Sequence, residues 1–177
     1  MRLFVAVFPP PEVQKALARA ARALPRNPFR LTPPDRVHLT LMFLGEASPQ
    51  DLPRLTRALE PIRNQPGAFQ ATVEDFGVFP SPRRARVLWA GIGEGAERLV
   101  ALAEATEVIL EPEGFARETR PFVPHLTLGR TRRPALFDPS GTSFPDLRFT
   151  VAAVDLVQSE QDRHGVTYST IEKYELG

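Results

Sequence analysis

The sequence predicts an α+β protein of two pseudo-symmetric lobes, each a mainly antiparallel sheet with helices on its outer face and a cleft between the sheets. Three observations predict it. Strand-like alternation and helical spacing are interspersed along one chain, with later strands paired as hairpins. The order helix, Phe- and Pro-containing loop, His-bearing strand and later hairpin occurs twice. The tetrapeptide His-Leu-Thr-Leu stands at His38 and again at His125, 87 positions on.

Taken in order, the chain begins with an apolar run, Leu3 to Phe8. Pro9-Pro10-Pro11 ends it too early for a secretory signal, so it reads as a central strand covered on both faces. The prolines start a helix whose Val13, Leu17, Ala20 or Ala21 and Leu24 share a face before Pro25 stops it. A loop over residues 28–34 leads into a strand from Val37 to Leu44, closed by Gly45. Ser48-Pro49-Gln50-Asp51 has the form of a capped helix start, and Leu52, Leu55, Leu59 and Ile62 form the face behind it. Phe69 to Phe79 and Ala85 to Ile92 read as a hairpin with a basic turn. A helix over 94–110 follows, with Leu99, Leu102, Ala103 and Ile109 on one side. A short strand begins at His125, and residues 135–144 match the second helix of the first half only poorly. Leu147 to Gln158 and Val166 to Leu176 make a last hairpin, turned at 161–165.

Its 177 residues suit one bilobal body over 1–177, with halves near 1–92 and 93–177 and room for strand exchange between lobes. No run approaches the ~18 apolar residues that cross a bilayer, so no membrane partner is expected. The absence of cysteine excludes disulfide, thiolate-metal and cysteine-nucleophile chemistry and fits a cytoplasmic home. All but two of the 22 basic residues, Lys15 and Lys173, are arginine. That preference suits bidentate phosphate contacts, but equally a compositional bias or a heat-adapted surface.

The twin tetrapeptides carry the chemistry. Only three histidines occur, and Leu-Thr-Leu follows a given one by chance about once in a thousand, so the double occurrence is not accident. On a strand, residues i and i+2 share a face, which projects His38 with Thr40 and His125 with Thr127, while Leu39, Leu41 and Phe43 point to the core. Two-fold symmetry would bring both pairs to one cleft. In-line displacement at phosphorus needs a base for the attacking oxygen and an acid for the leaving one, and imidazole serves either role near neutrality. The threonine hydroxyls would donate to the non-bridging oxygens as charge grows there. A zinc site is disfavoured because two histidines lack a third ligand, so no metal and no cofactor are expected.

Two His-x-Thr-x motifs in a chain of this length resemble the two-histidine phosphoesterase superfamily, and within it the RNA 2',3'-cyclic phosphodiesterases, also called bacterial 2'-5' RNA ligases. Arg2 to Val7, Val37 to Gly45, Gly77 to Pro80 with Arg86 to Trp89, and Phe122 to Arg130 carry the resemblance over essentially the whole chain. It implies hydrolysis of a 2',3'-cyclic phosphate end to a 2'-phosphate, with reversible 2'-5' joining in some members. It also implies His38 as proton donor and His125 as proton acceptor, roles that pseudo-symmetry leaves open in the sequence itself. Arg130 matches a phosphate-neutralising arginine of the family, although extended spacing from His125 puts it on the opposite face unless the strand ends at Gly129. The expected partner is RNA with a cyclic phosphate end, such as tRNA halves or small oligonucleotides, bound by a monomer with no obligate protein partner.

Other readings stand beside this one. The same site would suit a related phosphodiesterase acting on another cyclic or 2'-5' linked nucleotide, or a non-catalytic module gripping an RNA end. His164, in a hairpin turn, reads as a surface group. Arg83, Arg84, Arg86, Arg132 and Arg133 are either solvated charges or an RNA track. Phe29, Phe76, Phe79, Phe115, Phe122 and Trp89 are mostly core, with a base-stacking platform among them.

Overall fold

The computed structural model describes all residues 1–177. Nine strands and three α-helices are built as β1 (Arg2–Val7), α1 (Pro11–Arg22), β2 (Arg30–Leu31), β3 (Leu39–Glu46), α2 (Leu52–Ala58), β4 (Phe69–Phe79), β5 (Ala85–Ile92), α3 (Ala96–Leu110), β6 (His125–Ala135), β7 (Leu147–Val151), β8 (Ala153–Asp162) and β9 (Gly165–Glu175). They form two antiparallel sheets, ordered β3-β1-β8-β9 and β2-β6-β5-β4-β7. The α+β class and the paired antiparallel sheets agree with the sequence.

Local chemistry explains most element limits. Pro11 opens α1 at its first helical position, where its missing N–H costs nothing. Ser48 and Asp51 exchange side-chain and backbone bonds in a capping box, starting a short 3-10 turn that runs into α2. Leu55, Leu59 and Ile62 are then fully buried. β4 and β5 coincide with the expected hairpin.

Three expectations need correction. The strand expected over 147–158 is two strands, because Ala152 interrupts it: β7 pairs with β4 in the five-stranded sheet and β8 with β1 in the other. One extended stretch therefore stitches the sheets together. Its hairpin with β9 turns on Arg163 and His164 alone, with Asp162 opposite Gly165. The loop over 28–34 contains β2, held by Arg30 opposite Arg130, and runs on into a 3-10 turn over Pro34–Arg36, so the strand after it starts at Leu39. Such a two-residue strand exists only through a partner about a hundred positions away, which local pattern does not reveal.

Phase within the two His-bearing strands also departs from simple alternation. In β3, Ala6 faces Thr40 and Val5 faces Met42, so Leu41 is an extra residue, a β-bulge. Both Leu41 and Met42 are buried, and Phe43 emerges on the far face, 69% exposed, rather than entering the core. In β6, Trp89 faces Thr127 and Leu88 faces Gly129, so Leu128 is the extra residue. Arg130, opposite Val87, thereby returns to the face of His125 and Thr127.

A single large core fills the space behind both sheets. Leu39 and Leu41 of the first motif and Leu126 and Leu128 of the second all enter it. Truncating one such leucine to Ala would cost about 2–5 kcal/mol. On the opposite face of β1, Phe4 and Ala6 form a small separate cluster with Val157, against which Phe8 and Tyr168 pack. That second face carries the site.

Candidate active site

His38 precedes β3 and His125 begins β6, and these two strands lie against one another. Each ring is fixed by the same local bond. His38 Nδ1 lies 2.7 Å from the carbonyl of Arg36, and His125 Nδ1 lies 2.8 Å from the carbonyl of Val123. A carbonyl only accepts, so both Nδ1 atoms carry the proton and both Nε2 atoms present a lone pair in the neutral form. The spacing of two residues between ring and carbonyl is common to both repeats.

Beyond this shared anchor the two arms differ. His38 Nε2 stands 3.0 Å from Thr40 Oγ1, whereas His125 Nε2 has no protein partner. Phe4, Phe8 and Tyr168 enclose His38, with ring centroids 4.9, 5.3 and 5.3 Å away, Tyr168 meeting it edge-on at 84°. Phe79 lies edge-on to His125 at 5.2 Å, and Trp89 stands behind at 6.4 Å. Trp89 reaches across the sheet to Gly77, where a Cβ would fall 2.1 Å from Cζ2 of its ring. Glycine at 77 is what admits the indole.

Both imidazoles are held below their ordinary pKa of 6.5. Burial is the main cause at each, opposed by the carbonyl bond and reinforced by the positive charge of Arg130. His38 is lowered additionally by His125, so the two rings feel each other across the cleft. Tyr168 has its pKa raised by burial, against the pull of Arg36 and Arg130. Arg130 thus acts on His38, His125 and Tyr168 together.

The structure brings His38, Thr40, His125 and Arg130 within mutual reach, and strand phase turns Thr127 to the same side as His125 and Arg130. It leaves His164 in the β8–β9 turn, its ring bonded to Arg163. Of the aromatic residues singled out in the sequence, Phe29 and Phe76 are buried and Phe79 and Trp89 line the site. Phe4, Phe8, Tyr168 and the exposed Phe43 were not singled out as site residues; the signal for Phe43 was its place five residues after His38, matching Arg130 five after His125. No third His, nor any Cys, Asp or Glu, joins the two imidazoles in a cluster suited to a metal ion.

The arginines in ion pairs, Arg2, Arg54, Arg63, Arg117 and Arg148, bond carboxylates elsewhere on the molecule. Arg30, Arg36, Arg130, Arg132 and Arg133, on the strands and turns around the histidines, pair with no carboxylate. Of these, Arg130 acts on both imidazoles and Arg36 and Arg130 act on Tyr168, a positive charge suited to phosphate.

Known proteins resemble this chain over most of its length. The family described as LigT like Phosphoesterase matches residues 7–89 and 92–168, one copy on each half. A Thermus thermophilus protein named RNA 2',3'-cyclic phosphodiesterase is 35% identical over 184 aligned positions, covering 99% of this chain and 90% of its own length. An Escherichia coli protein of the same name is 31% identical, covering 99% and 96%. Among solved structures, TT0787 of Thermus thermophilus superposes with a TM-score of 0.83 at 33% identity, covering 99% and 98% of the two chains. Escherichia coli LigT complexed with 3'-AMP superposes at 0.80 with 28% identity, covering 99% and 97%.

Proposed function

The chain belongs to the LigT-like phosphoesterase family, and from that premise we propose that it is an RNA 2',3'-cyclic phosphodiesterase in which His38 and His125 are the acid and the base. The observation that carries this reading is the pairing of two carbonyl-anchored imidazoles, each presenting Nε2 and both acted on by the charge of one guanidinium, Arg130. We read the whole chain as one bilobal domain built by duplication.

Asymmetry between the arms supports the assignment of roles. His125 Nε2 is free to take a proton from water, so it is the acceptor. His38 Nε2 is already hydrogen-bonded to Thr40, and once protonated it hands its proton to the 3' oxygen as the P–O3' bond breaks. Water forms the new P–O bond opposite, and the 2'-phosphate remains. Thr40 and Thr127 donate to the non-bridging oxygens, and Arg130 offsets their growing charge. A 5'-hydroxyl in place of the water, giving its proton to His125 as the same P–O3' bond breaks, would yield a 2'-5' linkage.

The bound end is that of an RNA strand, tRNA halves and short oligonucleotides included. The decisive assay is turnover of cytidine 2',3'-cyclic phosphate, with phosphorus NMR of the product. A 2'-phosphate is expected from the natural chain, and His38→Ala and His125→Ala each lose at least 10²–10⁴-fold while staying folded. Undiminished turnover in either variant refutes the mechanism.

A further inference from the structure

We infer that Arg36 grips the first internucleotide phosphate on the 5' side of the reacting RNA end, so that this enzyme prefers an oligonucleotide to a mononucleotide. The inference rests on the reading of His38 as the acid and extends it to substrate length.

The polarity follows from where bonds remain. When the P–O3' bond breaks, the 3' oxygen stays on its ribose, so the imidazole that protonates it has the ribose beside it. Water enters from the other imidazole. With His38 as donor, the nucleoside and the strand leading 5' from it lie on the His38 side of phosphorus. A cation placed there meets the preceding phosphate.

Arg36 is that cation. It ends the 3-10 turn over Pro34–Arg36, is half-buried, and pairs with no carboxylate, although Asp35 and Asp162 lie on the neighbouring turns. Its guanidinium lies over the β8–β9 turn, about 4 Å from where a Cβ on Gly165 would stand, and its charge reaches Tyr168. Tyr168 in turn meets the His38 ring edge-on. The side chain therefore flanks the pocket of His38, whereas the charge of Arg130 reaches both imidazoles. A planar guanidinium with no partner is matched to two phosphate oxygens.

The backbone of the same residue orients the acid, since the Arg36 carbonyl accepts from His38 Nδ1 at 2.7 Å. A phosphate held by the Arg36 side chain thus steadies the residue that fixes His38. Longer RNA gains both affinity and alignment.

The test compares a dinucleotide ending in a 2',3'-cyclic phosphate with cytidine 2',3'-cyclic phosphate. The natural chain should show about tenfold higher kcat/KM on the dinucleotide, the scale of one charge-assisted contact. Arg36→Ala should bring the ratio of the two near unity and flatten the salt dependence for the dinucleotide by about 0.7 in log-log slope, one phosphate contact on a single strand. Arg36→Lys, which keeps charge without the fork, should restore part of the ratio. An unchanged ratio in Arg36→Ala overturns the inference, as does a natural chain with no preference. Loss of the preference in Arg84→Ala, beyond Phe79 on the His125 side, with Arg36→Ala unaffected, would place the ribose at the other imidazole. Failure of the functional reading looks different: neither substrate is turned over.

Discussion

Phe43 and Arg130 occupy the same place in the two repeats. Each stands five residues after its histidine, and each is carried onto the face away from the core by a bulge, at Leu41 in one strand and Leu128 in the other. Without those bulges both would point into the core with Leu39 and Leu126. One arm thus carries an aromatic ring and the other a guanidinium, and this difference, with the free Nε2 of His125, breaks the symmetry of the site.

Arg130 acts on both imidazoles, so its removal should change rate and pH dependence together. Arg130→Ala should lower kcat/KM by about 10²–10³, the scale of losing one preorganised donor to a developing negative charge. Because its charge lowers the pKa of His38 and of His125, both limbs of the pH profile should also move alkaline. Arg130→Lys should recover much of the pH position and less of the rate, since a point charge replaces a fork. A rate loss with an unmoved profile would show that Arg130 serves packing alone.

Phe43 is exposed yet adjoins Phe4, with ring centroids 6.3 Å apart, and Phe4 packs on His38. A ring displayed beside the acid is placed to stack a nucleobase, worth about 1–3 kcal/mol. Phe43→Ala should therefore raise KM for cytidine 2',3'-cyclic phosphate about tenfold, with kcat little changed. Its stability should stay within about 0.5 kcal/mol, because little buried surface is lost. A large fall in melting temperature with KM preserved would make Phe43 a structural residue instead.

Much of this site was legible in the chain because its signals are local. The twin His-Leu-Thr-Leu, the Ser48–Asp51 capping box and the Phe69–Ile92 hairpin each depend on neighbouring residues. What escaped depends on partners far along the chain. Whether Phe43 faces the core or the cleft is decided by how Val5 and Ala6 pair with β3, and Arg130 likewise by Leu88 and Trp89. The break at Ala152 is invisible to periodicity because a single residue separates β7, which alternates, from β8, whose Val154 to Val157 are all buried, so the two read as one extended run. Tyr168 reached the site through strand order, which brings β9 next to β8 and so within range of β1.

The lowered pKa values of the dyad set the pH behaviour. Activity needs one proton on the pair, so kcat/KM should follow a bell whose two apparent values belong to the pair, with its maximum on the acid side of 6.5. A bound phosphate favours imidazolium, so the kcat profile should lie alkaline of the kcat/KM profile. Stability has its own sign. Both folded values are depressed, so the unfolded chain binds more protons below 6.5; the contribution is complete above 6.5 and is lost as pH falls through the folded values. Denaturant midpoints of the natural chain should therefore fall more steeply across that acid window than those of a His38→Ala, His125→Ala double variant. A kcat/KM maximum above pH 7 would contradict the burial of the pair.

Gly77 offers a test of how the His125 arm is supported. The indole of Trp89 lies over it, and a Cβ there would fall within 2.5 Å of three ring atoms, Cζ2, Cη2 and Cε2. The ring has little room to yield, since Phe79 packs on it at 4.9 Å and Gly91 lies on its other side. Gly77→Ala should cost about 1–3 kcal/mol, as overpacking does, and push Trp89 toward the cleft. Phe79 touches both Trp89 and His125, so the displacement passes to the base, and kcat should fall more than KM rises. Trp89 is the only tryptophan, which makes its fluorescence a report on this place alone. A red shift in emission together with the loss of kcat is the expected pair; unchanged emission and kcat would mean that the sheet relaxes around the added methyl and that Trp89 does not hold His125 in position.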